Sequence, residues 1–351
     1  MNSTTVANLG EHALIERIRN RVPPVSSDVL IGIGDDAAVI KPDRGTVTVV
    51  TTDGLVEGTH FDRAFCSAPD IGHRALAVNL SDLAAMGAMP RQVLLSLVLP
   101  PKTLLFYLDQ MIDTFLALAA RHRTTLIGGN ITASASTGPL FVEVTAIGSA
   151  KRRGVLTRDG AQPGDIIYVS GSIGGAAAGL ASLRRIETDK QLPANDQASY
   201  PSSMDACQQK YLRPSPRVRL GVALGRNRAA RACIDLSDGF GNAVHQLVTA
   251  SNVGARIKAD ALPVHHEASC WFKSAGTDPL IEAICGGDDY ELMFTAPQSY
   301  SGRLAHVKRQ VGNLAITPVG VVTKERDIVL SRTGIDVPVP HGFTHFRQSH
   351  V

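Results

Sequence analysis

The sequence predicts an α+β protein of two domains, and three observations carry that reading. The chain has 351 residues, whereas a single core rarely grows beyond about 250–300 residues. Its first half mixes strand and helix patterns around one sheet, yet the strands at 29–33 and 37–40 follow each other across a short turn. Such an adjacent pair breaks strict βαβ alternation and favours α+β. Turn chemistry at Gly160-Ala161-Gln162-Pro163-Gly164-Asp165 lies at the start of a second set of elements, so the domains are placed at 1–150 and 151–351.

The elements follow in order. A short helix is predicted over 9–20, with Leu14, Ile15 and Ile18 as its apolar stripe and Pro23-Pro24 as its stop. The strands at 29–33 and 37–40 enclose a Gly34-Asp35-Asp36 turn. Residues 46–52 are rich in β-branched side chains and read as a buried strand that delivers Asp53 at its end. Pro69 suits the first turn of a helix over 69–87, on which Asn79 and Asp82, three apart, share a face. An apolar strand over 93–99 precedes the clearest helix, 103–121, where Leu104, Leu105, Leu108, Met111, Ile112 and Phe115 recur at core-facing spacing. A short strand at 125–127 runs into Gly128-Gly129-Asn130, which is open as a tight turn or as a close backbone approach to phosphate. A strand over 141–147 follows.

The second domain reads as a strand at 166–170, a helix within 174–183, a polar loop over 184–210 and a helix over 216–225. A strand at 232–236 then ends in Ser237-Asp238-Gly239, and a helix covers 240–251. Gly286-Gly287-Asp288-Asp289-Tyr290-Glu291 precedes another strand. The last strand is placed at 319–322, before a tail that carries Gly342-Phe343.

Bulk properties exclude several classes. At 44% hydrophobic and 19% charged, the composition is that of a soluble globular protein. A net charge of +3, with basic residues scattered apart from Lys151-Arg152-Arg153 and Arg184-Arg185, gives no nucleic-acid footprint. The five cysteines are widely spaced and form no CxxC, which argues against a disulfide framework or zinc site and for a reducing compartment. No stretch approaches the ~18 apolar residues of a membrane span, and the first 21 residues lack a signal-peptide core. The expectation is a cytoplasmic protein with neither a nucleic-acid nor a membrane partner.

The chemistry lies in recurring acids. Gly34-Asp35-Asp36 is joined by Thr51-Thr52-Asp53, Asn79-Leu80-Ser81-Asp82, Asp235-Leu236-Ser237-Asp238 and Gly286-Gly287-Asp288-Asp289. Each lies at or just beyond the end of a predicted element. Any one of them fits a turn or a helix cap. Gathered in one cleft they would repel, and divalent cations are the physical reason to gather them. Asp35, Asp53, Asp82, Asp235 and Asp238 are candidate Mg²⁺ ligands, with Thr51, Thr52 and Ser237 as neutral oxygens. A dinucleotide site is the main decoy, because Gly32-Ile33-Gly34-Asp35-Asp36-Ala37 matches G-x-G-x-x-A and Asp53 follows at a suitable distance. That fingerprint demands a helix immediately after the turn, which Pro42 and Gly45 forbid. No Walker-type phosphate loop occurs. Arg158 suits a phosphate or plain surface, His60 an anionic substrate or packing beside Phe61, and Phe343 a heteroaromatic ring or simple packing.

With these motifs in family order along nearly the whole chain, the sequence resembles the thiamine-monophosphate kinases. These belong to the superfamily shared with aminoimidazole ribonucleotide synthetase and selenophosphate synthetase. Gly58-Thr59-His60-Phe61, Leu156-Thr157-Arg158 and Ala77–Ala88 add to the match. The resemblance implies an N-terminal mixed-sheet domain that pairs in a homodimer and a C-terminal α/β sandwich domain. It implies ATP and Mg²⁺, with Asp35, Thr51, Thr52, Asp53, Asp82, Asp235 and Asp238 at the metal; of these, Asp53, Asp82 and Asp235 are the expected catalytic residues. Gly129, Asn130, Arg158 and Ser237 would contact the nucleotide. His60, Asp288 and Phe343 would contact thiamine monophosphate. One position departs from the pattern: Asn130 stands where the family has a metal-binding Asp, keeping the oxygen but not the charge.

The implied reaction is transfer of the γ-phosphoryl group of ATP to thiamine monophosphate. The acceptor phosphate is already anionic at neutral pH, its second pKa being about 6, so no protein base is required. The alternatives are a related ATP-dependent enzyme with another acceptor and a non-catalytic nucleotide-binding homologue.

Overall fold

A computed structural model describes residues 4–24, 26–190 and 204–343. The chain divides into two units: the first runs to Arg152 without Ala84–Gly87, and the second takes Ala84–Gly87 together with the chain from Arg153.

In the first unit, α1 (Val6–Leu9) and α2 (Glu11–Arg19) are separate because Gly10 adopts φ 78 between them. The predicted helix over 9–20 therefore begins two residues late. Leu14 and Ile18 bury its apolar stripe. Strands β1 (Val29–Ile31) and β2 (Val39–Ile40) pair antiparallel around the acidic turn. β3 (Val47–Val56), α3 (Ala68–Ala85), β4 (Met89–Leu99), α4 (Leu105–Arg121), β5 (Thr125–Ala133) and β6 (Phe141–Ala150) complete the unit. The four longer strands form one sheet in the order β3-β6-β4-β5, parallel only between β4 and β5.

Alternation decides which face of this sheet is covered. Val142, Val144 and Ala146 of β6 are buried, while Phe141, Glu143, Thr145 and Ile147 are half-buried on the other side. The buried face joins a core that includes Leu76, Leu80 and Leu83 of α3 and Leu108, Ile112 and Phe115 of α4. Each such side chain contributes roughly 1.5–3 kcal/mol. Leu104 is an exception to the predicted stripe, since it caps α4 and is exposed. Arg17 grips both carboxylate oxygens of Asp109 and ties α2 to α4.

Two predictions in this unit are corrected. β3 extends to Val56, so Asp53 sits inside the strand, opposite Val144, and the strand is half-buried or exposed everywhere but at Leu55. Backbone pairing with β6 carries the chain through Asp53-Gly54, where side-chain propensity would stop it. β5 likewise runs through Gly128-Gly129-Asn130, which is a bulged strand and not a turn.

The second unit contains β7 (Ile166–Ser170), α5 (Gly175–Asp189), α6 (Asp205–Leu212), α7 (Val218–Asn227), β8 (Ala232–Asp235), α8 (Phe240–Ser251) and β9 (Gly254–Lys258). It continues with α9 (His266–Ser274), α10 (Pro279–Cys285), β10 (Leu292–Ala296), α11 (Ser301–Val311), β11 (Ile316–Thr323), β12 (Ile328–Arg332) and β13 (Ile335–Pro338). Seven strands form one sheet in the order β13-β12-β9-β11-β7-β10-β8, parallel only between β12 and β9. β8 and β10 are buried at every residue, so both sheet faces are covered there. Phe240, Val244 and Leu247 of α8 and Ile284 of α10 pack in one cluster with Ile167, Ile234 and Met293.

The predicted loop over 184–210 is corrected in part: α5 continues to Asp189 and α6 starts at Asp205, while residues 191–203 lie outside the described residues. The last strand is not 319–322 either. β12 and β13 follow it as a hairpin whose β13 is exposed throughout, so no alternation announced it.

Candidate active site

In the first unit the acidic residues fall on two sides of the sheet. Thr51 Oγ1 donates to Asp82 Oδ2 at 2.5 Å, which joins β3 to α3. Asp53 lies two residues along β3 and so projects from the same face as Thr51. Thr52 turns the other way: its hydroxyl donates to Val144 O and lies 3.2 Å from Thr145 Oγ1. Thr51 and Thr52 thus project from opposite faces of β3.

On the side of Thr145 the unit holds a cavity of about 810 Å³, lined among others by Asp35, Asp36, Ser96, Gly129, Asn130 and Thr145. That volume is within the usual range for small-ligand pockets. Asp35 and Asp36 reach it from the turn between β1 and β2, and the Asp35 carboxylate accepts the Asp36 N–H at 2.9 Å. Gly129 explains itself sterically. A Cβ there would sit 1.8 Å from the Leu95 carbonyl oxygen, so any side chain would push β5 off β4. The structure therefore gathers Asp35, Gly129 and Asn130 at one cavity. It gathers Thr51 and Asp82 at another point. His60 stands in the turn after β3, where its Nδ1 accepts the Val56 N–H at 3.1 Å. A neutral His60 ring consequently carries its proton on Nε2.

In the second unit, three loops meet around the end of β8. Asp235 ends that strand and is buried, and Ser237 and Asp238 follow in a turn. The Asp288 N–H donates to the Ser237 carbonyl at 2.7 Å, and the Phe343 N–H donates to the next carbonyl, that of Asp238, at 3.1 Å. Two residues expected at the acceptor are therefore fastened to consecutive peptide groups of the loop expected at the metal. Arg158 is exposed, but the neighbouring Thr157 carbonyl accepts the Cys233 N–H at 2.8 Å. This covers the outer edge of β8 and keeps Arg158 beside the strand that ends in Asp235.

The loop carrying Asp288 is strained and pinned. Asp288 and Tyr290 have φ 68 and 49, a left-handed geometry that costs non-glycine residues roughly 1–2 kcal/mol each. The Tyr290 N–H donates to Leu236 O at 3.0 Å, and its hydroxyl donates to Asp288 Oδ1 at 3.2 Å. Asp289 points the opposite way: its carboxylate accepts the N–H groups of Gly174 at 2.6 Å and Ala176 at 3.1 Å at the start of α5. Burial pushes the Asp289 carboxyl up to about 7, against the pull of Lys210 and those two amides. Glu291, fully buried, receives Ser170 Oγ at 2.6 Å and Arg217 Nε at 2.6 Å.

Asp289 is among the recurring acids of the sequence, but the anchoring roles of Asp289, Tyr290 and Glu291 are not visible there, although the motif that contains Asp288 contains all three. Their one sequence signal is adjacency, because a strained loop needs its own anchors. Among the described residues, no group of three or more His, Cys, Asp or Glu side chains is close enough to hold a metal ion. The described carboxylates do not form a ready-made cage.

The AIR synthase related protein, N-terminal domain model matches residues 34–150, and the corresponding C-terminal domain model matches residues 162–332. The chain is 37% identical over 341 residues to the thiamine-monophosphate kinase of Salmonella typhimurium (strain LT2), covering 96% of this chain and 98% of that one. It is similar to the crystal structure of thiamine-monophosphate kinase from Stenotrophomonas maltophilia K279a, with 38% identity, a TM-score of 0.76 and coverage of 92% and 96%. It is also similar to AaThiL complexed with AMPPCP and TMP, with 29% identity, a TM-score of 0.73 and coverage of 99% and 100%.

Proposed function

The chain belongs to the AIR synthase related family and, within it, to the thiamine-monophosphate kinases, and we propose accordingly that it transfers the γ-phosphoryl group of ATP to thiamine monophosphate. The products are thiamine diphosphate and ADP. The observation that carries this reading is the near-full-length relationship to a thiamine-monophosphate kinase.

The residues fit that chemistry without a protein base, because the acceptor phosphate is already an anion. What must be supplied is alignment and relief of repulsion between two anions. The donor set consists of hard oxygens, which suits Mg²⁺. That ion is usually held by one or two carboxylates, with substrate phosphates and water completing its shell, so a scattered set of aspartates fits it better than a cage would. Asp35, Thr51, Thr52, Asp53, Asp82, Asp235 and Asp238 are assigned to Mg²⁺ ions, more than one because Thr51 and Thr52 project from opposite faces of β3, and bound Mg²⁺ would offset charge on the phosphoryl oxygens. Thr51, by donating to Asp82, fixes which way that carboxylate points. Gly129, Asn130, Arg158 and Ser237 are assigned to the nucleotide. His60, through its Nε2 side, Asp288 and Phe343 are assigned to the acceptor. The active species is proposed to be a homodimer. No helix among the described residues is long and apolar enough to cross a membrane, and a cytoplasmic location is proposed with the pathway chemistry.

The test is direct. Purified protein is given Mg²⁺ and ATP with and without thiamine monophosphate, and ADP and thiamine diphosphate are both measured. Diphosphate formed in step with ADP is expected. ATP binding without diphosphate would overturn the reading in favour of another acceptor or a binding role. Asp53→Ala is expected to reduce turnover to near background while circular dichroism stays that of the parent; a folded, active variant would remove Asp53 from the metal site.

A further inference from the structure

One side chain brackets Gly342 and Phe343 of the tail. Asn242 lies in the first turn of α8 and is buried. Its Oδ1 accepts the Gly342 N–H at 2.9 Å, and its Nδ2 donates to the Phe343 carbonyl oxygen. On the other side, the Phe343 N–H donates to Asp238 O at 3.1 Å. Both backbone polar groups of Phe343 are therefore occupied, one by the Asp238 loop and one by Asn242.

The tail packs closely against α8 and the Asp238 loop. A Cβ on Gly342 would lie 2.2 Å from Asp238 O, and one on Gly241 would lie 2.1 Å from Pro340 O. One turn along α8, His245 Nε2 is 3.0 Å from Val339 O, and its ring stacks on His341 with centroids 3.9 Å apart. The backbone is clamped, yet Phe343 as a residue remains 53% exposed.

We propose that Asn242 is a positioning residue for the acceptor: it fixes the backbone of Phe343 so that an exposed aromatic ring is presented next to the Ser237-Asp238 loop. This rests on the reading of Phe343 as an acceptor contact. Thiamine monophosphate carries two flat rings, one of them cationic, and an aromatic face attracts both kinds of group. A ring whose backbone is already fixed loses less entropy when the acceptor binds.

The experiment compares Asn242→Ala, Asn242→Asp, Phe343→Ala and the double variant Asn242→Ala/Phe343→Ala in the full chain. KM for thiamine monophosphate, KM for ATP and kcat are measured separately. Asn242→Ala is expected to raise KM for thiamine monophosphate about tenfold, the order set by losing two net hydrogen bonds. KM for ATP and kcat stay within about twofold. Asn242→Asp keeps an oxygen for the Gly342 N–H but sets a second carboxylate oxygen against the Phe343 carbonyl, and is expected to recover little of the affinity. The double variant is expected to be no worse than Phe343→Ala alone.

A second readout does not depend on activity. The chain has one tryptophan, so Phe343→Trp labelled with 5-fluorotryptophan gives two ¹⁹F resonances. Adding Asn242→Ala is expected to shift or broaden the one from position 343; an unmoved resonance overturns the proposal. Fully additive effects of the two substitutions, or a loss in kcat with KM for thiamine monophosphate unchanged, would also overturn it. If Phe343→Ala leaves that KM unchanged, it is the acceptor role of Phe343 that fails, and the proposal built on it falls with it.

Discussion

Asp289 shows how one buried carboxyl group links local structure to pH. Burial raises it to about 7, and the folded state therefore prefers its protonated form. Its contribution to stability is complete below the ordinary carboxylate value of 3.8 and is lost as pH rises through about 7. Asp289→Asn cannot titrate. The Tm of this variant minus that of the parent is expected to increase between pH 4 and pH 8, followed by calorimetry; a difference that stays flat would mean that Asp289 titrates normally. Asn130 offers the complementary case. It lines the cavity with Asp35 but brings no charge. Asn130→Asp is expected to lower the Mg²⁺ concentration for half-maximal rate about tenfold, because a unit charge at contact distance is worth ~1 kcal/mol even in bulk water and more near a protein surface. An unchanged Mg²⁺ dependence would place residue 130 away from the metal. At this scale the sequence made the acids legible as a set, because Asp beside Gly, Thr or Ser at element ends is a chemical pattern. It did not make their anchors legible. Asn242 looks like any helix polar residue until the tail folds back on it, and Asp289 looks like a twin of Asp288 until their side chains diverge.

At the scale of elements, Glu291 and Arg217 join the strand β10 end to helix α7. Glu291 is fully buried and takes both prongs of the Arg217 guanidinium together with Ser170 Oγ, whose own oxygen accepts the Leu292 N–H at 2.9 Å. Lys210 Nζ is 3.8 Å away. Arg217→Ala would leave that carboxylate with much of its compensation gone. A loss of about 3–5 kcal/mol is expected by denaturant titration, the range for breaking a buried pair. Arg217→Lys keeps the charge but not the fork, and should fall between the two. A loss below about 1 kcal/mol for the alanine variant would mean that water reaches Glu291 in solution. The elements themselves were legible where one physical signal dominated. α4 is the clearest example, since its stripe of Leu108, Met111, Ile112 and Phe115 is buried as its spacing requires. Strands held by pairing more than by side chains were cut short. β3 continues across Asp53-Gly54 and β5 across Gly128-Gly129-Asn130 because their backbones are paired, a cause that no residue displays locally.

In the first unit the sheet face opposite α3 and α4 is only partly covered, and α2 lines the cavity on it. Val50 of β3 is 61% exposed and pairs with half-buried Ile147 of β6, so both project from the face opposite α3 and α4. Leu94 and Val98 of β4 and Phe141 of β6 are half-buried on that same face. β3 is also an edge strand of ten residues, and a long edge with apolar neighbours is a natural place for another chain to pair. The proposed homodimer accounts for this face through an isologous contact, in which the same patch serves both copies. Light scattering coupled to size exclusion is expected to give twice the mass of the 37.2 kDa chain. Val50→Glu combined with Ile147→Glu places like charges opposite one another on each copy and across the symmetric contact. The double variant is expected to elute at the mass of one chain. A parent protein that is a single chain at concentrations where it makes thiamine diphosphate would end the dimer proposal, while leaving the proposed reaction standing.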